Sequence, residues 1–179
     1  MRTIKQSLDK IKGFLEEKIA ETDYKLPMQK ENMENGKIEL VHPVIAYGNL
    51  PHENFSMYGA EQRLFQAPYI LIGIEECTFD YDSENVPILI QVCCYTAESY
   101  RTEENEMMIP DNMGTLDAIG LLESIREWII NDAKFPWERP FTMGTYDTKE
   151  STYPLAFGYI KFDTTTYEGQ VNREKFHYY

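Results

Sequence analysis

Three histidines, three cysteines and the adjacent carboxylates Glu75-Glu76 and Glu103-Glu104 are the first side chains to weigh for chemistry. His42, His52 and His177 are scattered, and none has a second ligand at the short spacing that a zinc site uses. Cys77, Cys93 and Cys94 are an odd number for a disulfide framework. Cys93 and Cys94 adjoin in an apolar run that reads as a strand, so their side chains point to opposite faces and cannot grip one metal. They are expected to be buried free thiols, acting as small hydrophobes. Ser56, Ser83, Ser99, Ser124 and Ser151 lack a nucleophile-elbow context. Gly114-Thr115 lacks the second glycine and the lysine of a phosphate loop. Glu75-Glu76 and Glu103-Glu104 could do acid–base work only if something desolvated one carboxylate of each pair, and nothing in the sequence around them would. The expectation is a chain with no catalytic residue, no cofactor and no metal, and so not an enzyme.

With chemistry set aside, composition bounds the function. The 179 residues fit one domain, residues 1–179, long enough to bury a substantial core. A hydrophobic content of 42% with 13% aromatics belongs to a folded protein rather than a disordered one. Lys plus Arg number 17 against 30 Asp plus Glu, a net charge of −13. Nucleic-acid binding needs clustered cations to displace phosphate counterions, so this balance argues against it. Trp128, Trp137 and the thirteen tyrosines could stack bases, but no cations surround them. The longest apolar runs, residues 70–74 and 88–94, are too short to span a membrane. The N-terminus is charged and periodic, without a signal peptide's apolar region, which predicts a cytoplasmic protein.

The elements that would position any site follow from periodicity. Ile4, Leu8, Ile11, Leu15 and Ile19 recur at helical spacing and predict a helix over residues 4–20, with Thr3 and Gln6 in capping-box positions. Lys12 and Glu16 are spaced to pair on its solvent face. Residues 23–37 read as a polar loop, and residues 38–47 as an edge strand interrupted at Pro43. Residues 49–67 show no period and read as a long loop, a candidate contact surface. Strands are predicted over 69–74 and 87–95, the second apolar on both faces and therefore central, joined by an acidic turn that implies antiparallel pairing. Residues 97–112 read as a solvated acidic loop. A second helix is predicted over 116–130, with Ala118, Leu121, Leu122, Ile125, Trp128 and Ile129 on one broad face and Asp117 near its positive end. A proline-tryptophan loop over 135–140 leads to strands over 141–148 and 153–165, and residues 168–179 are expected to be a polar, mobile tail. The predicted fold class is α+β: a mostly antiparallel sheet of four to five strands with two main helices packed on it. Trp128 is expected in the core. Trp137, flanked by Pro136 and Pro140, and Tyr153 are candidate subunit-contact anchors.

Four places carry a resemblance to a known family. They are the helix over 4–19, the proline entering an apolar strand at Ala67-Pro68-Tyr69-Ile70, the helix with Leu121-Leu122-Glu123-Ser124-Ile125-Arg126, and Tyr153-Pro154-Leu155-Ala156-Phe157-Gly158-Tyr159. In these the chain resembles the tail terminator (tail completion) proteins of long-tailed bacteriophages and prophages, and the related head–tail joining proteins. It departs from them at Leu155 and Ala156, where another aromatic is expected, and in longer polar loops after Asp23 and Leu50. The resemblance implies a structural protein of the virion tail or neck, made in the bacterial cytoplasm. It implies self-association into a ring, a hexamer, that stops tail-tube growth and meets the head connector, so the partners are further copies, tail-tube and head-connector proteins. Glu98, Tyr100, Arg101, Glu103, Glu104 and Glu106 then form a candidate interface or channel loop, whose acids would keep passing DNA from sticking. The net charge also fits a different class, an acidic DNA mimic that inhibits a DNA-binding enzyme.

Overall fold

The computed structural model describes residues 4–28, 39–49, 66–75, 85–95, 100–102, 108–110, 113–132, 137–146 and 155–165. Helix α1 covers Ile4–Thr22 and helix α2 covers Met113–Asn131. The strands are β1 (Leu26–Pro27), β2 (Leu40–Val41), β3 (Val44–Tyr47), β4 (Tyr69–Ile74), β5 (Asn85–Tyr95), β6 (Tyr100–Thr102), β7 (Met108–Pro110), β8 (Trp137–Thr145) and β9 (Leu155–Thr165). Five of them form one sheet in the order β3-β4-β5-β9-β8. Only β3 and β4 are parallel; every other neighbour pair in that sheet is antiparallel. The architecture is α+β, with both helices on one face of a mostly antiparallel sheet.

Helix α1 presents Ile11, Leu15 and Ile19 to the core, with Phe14 and Ser7 beside them and Ile4 and Leu8 half-buried at its start. Lys12 and Glu16 lie 3.7 Å apart on the outer face, as their spacing predicts. The expected cap, Thr3, lies outside the described residues. The helix ends at Asp23, which has φ 49°, the left-handed conformation that closes many helices. The amide of Tyr24 donates to the Ile19 carbonyl at 3.1 Å and that of Asp23 to the Ala20 carbonyl at 3.3 Å, so the last turn's carbonyls find donors.

Helix α2 begins three residues before its predicted start. Asp117 is therefore about one turn inside the helix and half-buried, and burial pushes its carboxyl above the usual range. Ala118, Leu121, Leu122, Ile125 and Ile129 are buried, as their spacing predicts, and each fully buried leucine or isoleucine contributes about 1.5–3 kcal/mol. Trp128 is only half-buried and meets the Tyr24 ring edge-on, with centroids 5.9 Å apart. The helices cover Ile70, Ile72, Ile88, Ile90, Val92, Ala156, Ile160 and Phe162 in one continuous core. Gly158 belongs to this face for a steric reason. A Cβ there would lie 2.7 Å from Leu122 Cδ1 and 3.2 Å from the Gly144 carbonyl, so glycine lets α2 approach.

Four expectations need correction. Residues 23–37 are not all loop, because β1 pairs antiparallel with β2, and buried Leu26 ties that clasp to the core. The strand expected over 38–47 divides at Pro43 into β2 and β3, which belong to different sheets; β3 is nevertheless an end strand. Residues 97–112 hold a small hairpin, with Tyr100 opposite Pro110 and Arg101 opposite Ile109. The proline-tryptophan loop is in part strand: β8 starts at Trp137, and an irregularity between Glu138 and Thr142 accommodates Pro140. The long loop falls mostly on residues outside those described, as do the acidic turn and the tail.

Candidate functional site

The sheet's second face carries no described helix, yet its middle is buried. Leu71, Leu89, Gln91, Cys93, Leu155 and Phe157 are all less than a tenth exposed. Strand alternation places them there: Cys94 joins the helix-covered core and Cys93 this second cluster, the opposite orientation expected of adjacent strand residues. Both cysteines are buried and neither is in a disulfide, and burial pushes the Cys94 thiol well up.

Across this face runs a polar strip built from three strands. Gln91 on β5 stands opposite Tyr159 on β9, and Tyr159 stands opposite Gly144 on β8. Gln91 is 1% exposed, a depth at which an amide needs partners, and its Nε2 donates to the Tyr146 hydroxyl at 2.6 Å. Burial pushes the Tyr146 phenol above its usual value, and the Gln91 bond works against that rise. The Tyr146 and Tyr159 rings are tilted at 49° with centroids 5.0 Å apart. Gly144 leaves room for this: a Cβ there would stand 3.2 Å from the Tyr159 hydroxyl. At the rim Lys161 donates to the Glu75 carboxylate and lies 5.4 Å above the Tyr159 ring. The Glu75 hydrogen bond raises the Lys161 ammonium, and both groups are partly exposed. Glu75 is thus an ion-pair partner across the sheet.

A second constellation occupies the β3 side. Tyr47 donates to Asp9 Oδ1 at 2.5 Å, which pushes the phenol up to about 12, and Lys12 lies 5.1 Å from the ring centroid. Leu40, Val44 and Tyr47 are about half exposed, large apolar side chains gathered in one short stretch. Beyond Gly48, the Asn49 side chain lies across β4, where its Nδ2 donates to the Ile74 carbonyl at 3.3 Å. Its Oδ1 occupies the space that a Cβ at Gly73 would need. Near the end of α1, Asp23 accepts from Lys25 at 2.8 Å, and that bond holds its carboxyl below the usual range. His42 Nδ1 lies 2.9 Å from the Tyr24 carbonyl and Nε2 3.3 Å from Asp23.

Of the residues singled out from sequence as interface or anchor candidates, only Tyr100, Arg101 and Trp137 lie among the described residues. Glu98, Glu103, Glu104, Glu106 and Tyr153 lie outside the described residues. Tyr100 and Arg101 are neighbours in β6, and Trp137 begins β8 opposite Thr164. The strip of Gln91, Tyr146, Tyr159, Lys161 and Glu75 was missed. Its signal is the odd-numbered run Tyr159, Lys161 and Asp163, whose polar members mark a face that differs from the apolar one. Its partners lie up to 86 residues away, a pairing that periodicity does not encode. Among the described residues no group of three or more His, Cys, Asp or Glu side chains is placed to hold a metal ion. Among them, too, no helix is long and apolar enough to cross a membrane. Compared with known proteins, the chain matches no family model and no curated protein.

Proposed function

We propose that this chain is a structural subunit of a bacteriophage or prophage virion, of the tail terminator or head–tail joining kind, acting through shape and self-association. In this account copies close into a ring, a hexamer, that ends growth of the tail tube and offers its other side to the head connector. The resemblance in sequence motivates the role, and the order α1, sheet strands, α2 and two final strands is compatible with it. The observation that carries self-association is the exposure of Leu40, Val44 and Tyr47 beside β3, an end strand of the five-stranded sheet. Apolar side chains at a sheet edge favour cover by another chain, and natural proteins that stay single blunt such edges with charge. A second copy is the occupant this account assigns to that edge.

Val44→Lys tests the assignment, because Val44 is 50% exposed and a lysine there leaves the core untouched. The variant is expected to keep the parent's circular dichroism spectrum and cooperative unfolding, and to lose self-association in sedimentation velocity. A Val44→Lys protein that associates as the parent does would remove this edge from the account. The net charge of −13 favours one other reading, an acidic DNA mimic. A monomer that inhibits a nuclease at low stoichiometry would favour mimicry over the ring.

A further inference from the structure

We draw no further inference here: the strongest candidate, the polar strip of Gln91, Tyr146, Tyr159, Lys161 and Glu75 on the second sheet face, is a cluster of mutually bonded side chains, and nothing in the structure shows what would bind there.

Discussion

Ile90 and Gln91 are neighbours in β5, 0% and 1% exposed, and they face opposite sides of the same sheet under different rules. Ile90 lies beneath two helices among aliphatic side chains, where stabilisation is proportional to the apolar area removed from water. Gln91 lies on a face where aromatic rings and polar groups hold one another by directed bonds. The first face tolerates exchange of one aliphatic for another of similar volume, whereas the second depends on each polar atom keeping its partner. Burial alone therefore does not tell which side of this sheet a residue serves.

The largest effect is expected on the helix-covered face. Ile125→Asp places an unpaired carboxylate at a position that is 0% exposed, a change large enough to unfold a domain of this size. Circular dichroism should show loss of the cooperative melt. A folded Ile125→Asp protein would mean that α2 does not pack as described. Gln91→Leu, on the other face, keeps side-chain volume but takes the donor from Tyr146, and should cost about 1–3 kcal/mol in urea denaturation. Adding Tyr146→Phe should recover part of that loss, since both partners are then apolar. Strictly additive losses in the pair would show that the two side chains are not coupled.

The smallest effect belongs to the exposed edge. Tyr47 ionises only when the pH approaches about 12, because its proton is shared with Asp9. Its phenol is held above the value of an unfolded tyrosine. Its contribution to stability is therefore complete below about pH 10 and is lost as the pH rises towards 12. Ultraviolet titration of the parent against Tyr47→Phe should show one phenolate missing from the late part of the curve. If the missing phenolate instead titrates near 10, the bond to Asp9 does not form in solution.

These contrasts also explain what could be read in advance. Helix α2 and strands β4 and β5 were legible because a face must repeat its aliphatic residues to be buried, and Leu121, Leu122, Ile125 and Ile129 do so at helical spacing. Strands β1, β6 and β7 span two or three residues, too few for alternation to rise above a polar background. The start of β8 was hidden by Pro136 and Pro140, which locally favour a loop; within the strand a register shift lies between Glu138 and Thr142. Which strands neighbour one another was only partly legible. The parallel pairing of β3 with β4 depends on a connection of some twenty residues, and the Lys161–Glu75 pair depends on strand order rather than local pattern. Of the second sheet face, the separation of Cys93 from Cys94 and the alternation of Tyr159, Lys161 and Asp163 are local signals, whereas the partners of the strip are not.

Self-association is the claim on which the functional account rests, and the mass of the native protein tests it most directly. Native mass spectrometry of the purified 21.0 kDa chain across a range of concentrations is expected to show a closed ring of identical copies, with six as the dominant number. A single copy at every concentration, including in the presence of assembled tail tubes, would contradict it.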